Sequence, residues 1–247
     1  MEAADKPVAM RAFGRREDLD LEFASGDRPD LVTALLAQCT AADAGHWWAR
    51  TVGARTAALL RLYRLNEGVE SVELGARCRS GDCGENFAFE LPLAPLAALA
   101  PDEQGWTRVL PDGRELSLRP PTGFDLQRWR QARPADRGSA LQLMLHDLAS
   151  GQELGPDDEA LLAETLAEKD PLVALRVEAH CPACGQVQDV AVDLEGLVLS
   201  RFAARQRALL SEVHQLARHY GWTEDQVLAV PRRRRAEYLA LIDGAAR

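Results

Sequence analysis

Long apolar runs are missing from this 247-residue chain. No stretch approaches the ~20 residues a helix needs to cross a bilayer, so membrane insertion is not expected. Met1 to Asp30 is charged and has no apolar core segment, so no secretory leader is expected there and a reducing, cytoplasmic setting is. Lysine is scarce beside alanine, leucine and arginine, a bias that points to a GC-rich bacterial genome rather than to a function. There is no glycine-rich phosphate loop, no nucleophile elbow and no His-Glu-x-x-His pair. No catalytic constellation assembles from what is left, and a non-enzyme is expected.

Apolar residues make up 47% and charged residues 27%, ordinary values for a soluble globular protein able to bury one sizeable core or two small ones. The net charge of −9 is unevenly spread. Residues 201–247 hold nine arginines against five acids, a net of +4, whereas residues 1–200 hold twenty bases against thirty-three acids, a net of −13. The acidic body disfavours nonspecific nucleic-acid binding, which is mainly phosphate neutralisation. The basic end suits an acidic partner.

Four of the five cysteines stand in two copies of one local pattern. Val72, Leu74 and Ala76 alternate into Cys78, and after four residues come Cys83 and Gly84; Leu175, Val177 and Ala179 alternate into Cys181, and after two residues come Cys184 and Gly185. Beyond each second cysteine, Phe89, Leu91, Leu93 and Leu96 align with Val190, Val192, Leu194 and Leu197. A strand enters, two cysteines turn it, a glycine tolerates the turn's backbone, and a strand leaves. Two such knuckles face to face would supply Cys78, Cys83, Cys181 and Cys184 as the four thiolates of a tetrahedral structural zinc site. Cys181 lies 103 positions after Cys78, so the ribbon would be split by a long insertion. Reduced buried thiols, a disulfide or a redox pair at Cys181-Pro182-Ala183-Cys184 are the alternatives. A disulfide is disfavoured in a cytosolic protein. A thioredoxin-like pair needs a helix N-terminus, whereas Gln186 to Leu194 reads as a strand. Cys39 lies on an apolar helix face and is expected in the core.

Along the chain, residues 1–29 are polar without clear periodicity and read as an arm. Asp30 is positioned to cap a helix bearing Leu31, Leu35, Leu36 and Cys39. A second helix is expected from Val52 to Leu65, stopping near Gly68. Trp106 to Arg119 reads as a hairpin around Pro111-Asp112-Gly113-Arg114. Thr122 and Asp125 form a weak capping box, and three short helices are expected within 123–169. The step Asp170-Pro171 breaks the last of them. A long amphipathic helix over Glu195 to Tyr220 stops at Gly221, Thr223 to Gln226 is a capping box, and Pro231 precedes a final helix from Arg232 to Ile242. The expected fold is thus α+β: a polar arm (1–29), a split zinc-ribbon core (30–194) with an inserted hairpin and helices (101–171), and a helical C-terminal module (195–247).

The last three helices resemble a helix-turn-helix, so a zinc-ribbon nucleic-acid-binding regulator is the alternative reading. However, Tyr238, Leu239, Leu241 and Ile242 require burial, and the run Arg232, Arg233, Arg234 and Arg235 reads as a solvated face. With Tyr220, Trp222 and Tyr238 it forms a composition suited to a protein interface. His180 should point away from Cys181, His214 and His219 do not share a helix face, and His146-Asp147 has no companion nucleophile; all read as structural or surface groups. Trp47 and Trp48 read as core.

Several segments together resemble a known family. The stretch from Val213 to Leu239 has a helix ending in Tyr220-Gly221-Trp222, a short capped helix, Pro231 and an arginine-rich start to a Tyr-Leu helix. It resembles the T-even-phage-type baseplate proteins, often labelled baseplate hub assembly chaperones, of contractile phages and injection systems. Larger members are also similar in the arginine- and leucine-rich helix Trp48 to Leu65, in an LRPPTGxDL segment at Leu118 to Leu126, in an AExDPLxxL segment at Ala167 to Leu175, and in their paired Cys-Gly knuckles. The four-residue spacing of the first knuckle departs from the family's two. The resemblance covers roughly residues 31–242. It implies a non-enzymatic role in assembling or forming a baseplate hub, with hub or spike proteins as partners, in the bacterial cytoplasm or within a tail-like particle.

Overall fold

The structure, a computed structural model, describes residues 8–99, 103–110, 112–152, 154–155 and 158–245. Among these residues the fold is mixed helix and small antiparallel sheet: ten α-helices and three separate two-stranded hairpins. No helix among them is long and apolar enough to cross a membrane.

Helix α1 (Arg28–Cys39) begins where Pro29 can occupy the first turn, and its cap is Asp27, whose carboxylate accepts from the Asp30 N–H, rather than Asp30 itself. Its Leu31, Leu35, Leu36 and Cys39 are all buried. A short helix α2 (Ala44–Ala49) buries Trp47, whose indole N–H donates to Thr40. Helix α3 (Val52–Glu67) is buried on nearly every side over its first three turns and ends on Gly68 with φ +67°, a left-handed cap that favours glycine. These helices and the long α8 (Leu194–Tyr220) enclose the main core, in which Leu35, Leu36, Leu59, Leu60 and Phe202 are essentially inaccessible to solvent.

The segment expected to be a polar arm behaves differently over residues 8–27. Met10 bridges Thr40, and Phe13 and Leu21 enter the main core. Its polar groups satisfy one another: the buried Asp18 accepts from the Arg11 guanidinium at 2.8 Å and from the Gly14 and Arg15 N–H groups. The Gln206 amide on α8 donates to the carbonyls of Asp18, Leu19 and Leu21. An irregular segment can be buried only when its backbone groups find such partners. Residues 1–7 lie outside the described residues.

The two knuckles are hairpins β1 (Ser71–Arg77) with β2 (Asn86–Pro92) and β5 (Arg176–His180) with β6 (Val187–Ala191). Between them, β3 (Trp106–Val109) pairs with β4 (Glu115–Leu118), as expected, although Pro111 of the turn lies outside the described residues. Helices α5 (Gly123–Ala132), α6 (Arg137–Leu148) and α7 (Asp158–Lys169) are the three expected in the insertion. The insertion has its own small core of Trp106, Leu110, Leu116, Leu118, Leu145 and Leu162.

The segment Leu118 to Leu126 fastens the insertion to the main core. The Val52 N–H donates to the Pro121 carbonyl at 2.8 Å, and the Gly123 N–H to the Arg50 carbonyl. Thr122 caps α5 in a box with Asp125, and the buried Asp125 also accepts from Arg119 and Arg128. Burial opposes ionisation of Asp125, but the Arg119 and Thr122 hydrogen bonds outweigh it and hold the carboxyl below its ordinary range. Gly123 has no room for a side chain: a Cβ there would lie 2.0 Å from Nη1 of Arg55 and 2.9 Å from the Trp48 ring.

Candidate metal centre

Each knuckle is built the same way. In the first, Val72 faces Leu91, Leu74 faces Phe89 and Ala76 faces Phe87; in the second, Val177 faces Val190 and Ala179 faces Gln188. Counted from the cysteines, the two registers coincide, and a Val192 N–H to Leu175 carbonyl bond extends the second hairpin as Val72–Leu91 extends the first. The Cys78 N–H donates to the Glu85 carbonyl at 2.8 Å, and the Cys181 N–H to the Gln186 carbonyl at 3.0 Å. Gly84 (φ +57°) and Gly185 (φ +73°) take the left-handed conformation that returns each chain to its second strand. The next aligned pair, Leu93 and Leu194, starts a helix in both copies, α4 (Leu93–Ala98) and α8, and both leucines are buried in the main core.

The hairpins meet face to face around Cys78, Phe87, Ala179 and Cys181, with Ala76, Cys83, Phe89 and Val190 packed against them. A polar bond crosses the interface: the Arg79 N–H donates to the Gln188 side-chain oxygen at 2.9 Å. The four cysteine Sγ atoms lie within 4.8 Å of one another. Two close approaches run between knuckles, Cys78 to Cys184 at 3.6 Å and Cys83 to Cys181 at 3.8 Å. Four sulfurs about 2.3 Å from a common tetrahedral centre stand about 3.8 Å apart, so this cluster can hold a metal ion such as zinc. Cys184 is exposed and Cys83 half-buried, which leaves a path to solvent on one side.

The thiols influence one another strongly. The Cys184 N–H, joined by the Ala183 N–H and the neighbouring thiols, draws Cys181 down to about 7 against its burial. Cys78 is pushed up to about 12: the Ser80 N–H favours its thiolate, but desolvation and the other three cysteines outweigh it. Cys83 is raised as well, despite the Glu85 N–H, chiefly by Cys184 and by burial. Cys78 and Cys83 thus resist ionising beside Cys181; a bound dication would reverse that resistance by stabilising the thiolates.

The other cysteine, Cys39, is fully buried and pushed up to about 12 by desolvation, as a packing residue should be. Cys181 leaves a strand and Cys184 is followed by another, so the pair does not sit at a helix N-terminus. His180 is exposed and outside the cluster. Asp147 accepts from the Trp129 indole and Arg128, which makes it a packing partner of α5, while His146 is exposed. Trp47 is core; Trp48 is half-buried between Phe124 and the Arg55 guanidinium.

The C-terminal residues proposed as an interface separate into two groups. Tyr220, Trp222 and Tyr238 are half-buried and pack on one another, with Tyr220 stacked on Trp222 at 4.9 Å and Tyr238 edge-on to both. This cluster joins α8 to α10 (Arg232–Ala245) across α9 (Glu224–Ala229). The arginine run is not one solvated face. Arg235 is buried, donating to Glu212 at 2.8 Å and to the Val230 carbonyl at 2.7 Å, and Glu212 also accepts from Arg205. Arg235 is therefore a brace inside the module and is unavailable to a partner. Arg232 lies 3.5 Å from Glu67, while Arg233 and Arg234 are exposed, Arg233 beside Glu237.

Two buried charged side chains carry no signal in the sequence. Arg55 is completely buried and donates through Nη2 to the Pro29 carbonyl and to Thr33. Asp170, which follows α7, is buried against Gly53 in the first turn of α3, whereas the sequence shows it only as part of a helix-breaking Asp-Pro step. Compared with family models, curated proteins and solved structures, the chain matches none.

Proposed function

We propose that this chain is a non-catalytic assembly factor or structural component of the baseplate hub of a contractile tail-like particle, built on a split zinc ribbon. The observation that carries the metal half of this reading is the sulfur spacing of 3.6 and 3.8 Å across two hairpins of identical register. Cys78, Cys83, Cys181 and Cys184 would hold Zn²⁺ as thiolates. A structural zinc site contributes on the order of 10–16 kcal/mol coupled to folding, ample to clasp hairpins so distant in sequence. Metal analysis of protein purified under reducing conditions without chelator tests it, with about one zinc per chain expected.

The partner half rests on the order of motifs along the chain and on two structural supports for them. Gly123 and Asp125 of the Leu118 to Leu126 segment, and Asp170 of the Ala167 to Leu175 segment, are buried where the insertion meets α3. Arg233 and Arg234, with Arg232 beside them, offer a basic surface to an acidic hub or spike protein in the bacterial cytoplasm or in the particle itself. Mass spectrometry of purified particles and of proteins bound by the tagged chain tests this, with hub or spike subunits expected. A salt-dependent DNA shift abolished by Arg233→Glu and Arg234→Glu, with no particle protein recovered, would instead favour a nucleic-acid-binding regulator.

A further inference from the structure

The insertion and the start of α3 frame an apolar cavity of about 340 Å³ that the metal reading does not use. Leu141, Met144 and Leu148 of α6 and Ala163, Leu166 and Ala167 of α7 line it, three and four residues apart on each helix, and Trp129 of α5 joins them. Leu141, Ala163, Ala167 and Val173 are exposed, so the cavity is open to solvent. The side chains that line it offer no polar anchor. The Trp129 indole N–H is taken by Asp147, and the Asp170 oxygens are sealed against the N–H groups of Gly53, Leu172 and Val173.

Selectivity must then come from the rim, and the rim is charged on one side. Helix α7 carries four acids, Asp158, Glu159, Glu164 and Glu168, against Lys169 alone. Helix α6 carries one arginine, one histidine and Asp147, which is already bonded to Arg128 and Trp129. Glu164 and Glu168 each follow a lining alanine, are exposed, and have no ion pair among the described residues. They stand one turn apart, an i,i+4 like-charge pair that weakens its helix slightly and that a cation would relieve. Around them, residues 101–171 hold fourteen acids against eight bases. The apolar ridges of two neighbouring helices admit side chains repeated at the same helical spacing. An open carbon-walled cavity beside unpaired carboxylates is thus the complement of a helix with apolar anchors and basic flanks.

We propose that this cavity docks a basic amphipathic helix of a partner protein, which seats apolar side chains between α6 and α7 and lays its lysines or arginines against Glu164 and Glu168. The site shares no residue with the metal centre or with Arg233 and Arg234, so it stands or falls apart from the function proposed above. Calorimetric titration of the full chain with amidated peptides of about 18 residues, long enough to form a helix, tests it. One peptide repeats leucine at i, i+3, i+4 and i+7 with lysine elsewhere; a second has glutamate for lysine, and a third has serine for leucine. The leucine–lysine peptide should bind at least about tenfold more tightly than either control and should shift the Trp129 indole N–H resonance. Glu164→Lys with Glu168→Lys should remove its advantage over the glutamate peptide. Ala167→Phe, which fills the cavity from α7, should abolish binding and leave the fold unchanged by circular dichroism. Should Ala167→Phe not fold, Leu141→Ser at the exposed mouth takes its place. No binding of the leucine–lysine peptide, equal binding of any control, or binding that survives in Ala167→Phe would each overturn the proposal. So would self-association of the chain that Ala167→Phe abolishes, which would put a second copy there, or binding of n-octanol without the peptide, which would make it a small-molecule site.

Discussion

The two knuckles differ where their function is least demanding. The first places four residues between its cysteines and closes its turn with the Cys83 N–H on the Ser80 carbonyl; the second places two and closes with the Gly185 N–H on the Cys181 carbonyl. The strand register, the backbone bond of the leading cysteine, the left-handed glycine and the buried leucine that starts the next helix are the same in both. Sulfur placement is therefore set by the hairpin stem and the glycine, and the intercysteine loop absorbs length. The helices downstream of the stems differ too, with six residues after the first and 27 after the second. One unit closes against the main core, while the other continues into the C-terminal module.

The largest effect should come from removing a ligand from either knuckle. If the centre is shared, Cys78→Ser and Cys181→Ser should each lose the metal and lower stability by several kcal/mol, because the three ligands left bind more weakly and the hairpins lose their clasp. Cys39→Ser should keep the metal. Metal content alongside thermal unfolding separates the cases, and equal melting of all three variants would break the division between four ligands and one core cysteine.

Next in size are the glycines. Neither Gly84 nor Gly185 would bring a Cβ into a clash, since Gly84 has only Arg77 at 3.6 Å and Gly185 nothing within 4 Å. Their replacement by alanine should therefore cost the left-handed backbone penalty alone, roughly 1–2 kcal/mol each. Matching costs in denaturant unfolding would support the equivalence of the knuckles; a cost at one and none at the other would break it.

A smaller cost is expected for Gln188→Ala, which removes the acceptor of the Arg79 N–H and should destabilise by about 1 kcal/mol. Hydrogen exchange at Arg79 should accelerate while the strand amides of β1 change little. The smallest effect belongs to deleting Gly81 and Asp82, which gives the first knuckle the spacing of the second. Loop-closure entropy changes by well under about 1 kcal/mol for so short a segment, so metal stoichiometry should be retained. Loss of metal on that deletion would show that loop length, not the stem, places Cys83.

The parts of the fold legible in the sequence are those whose cause is local. Alternation into a cysteine and a glycine after it specify each hairpin, and Thr122, Thr223 and Gly221 mark helix ends with their own side chains or backbone freedom. The illegible parts depend on distant partners. Phe13 and Leu21 have no helical or strand spacing, and residues 8–27 are held by Gln206, nearly two hundred positions away. Arg235 is one of four identical neighbours, and only Glu212 on another helix distinguishes it. Asp170 acquires its meaning from Gly53, whose missing side chain admits the carboxylate. The closeness of the four cysteines follows from their repeat.

X-ray absorption at the zinc edge on the full chain decides whether a single tetrathiolate centre joins the two hairpins. About one zinc per chain with four sulfur neighbours near 2.3 Å is expected. Zinc bound through nitrogen or oxygen, or none in protein kept reduced and free of chelator, would contradict it.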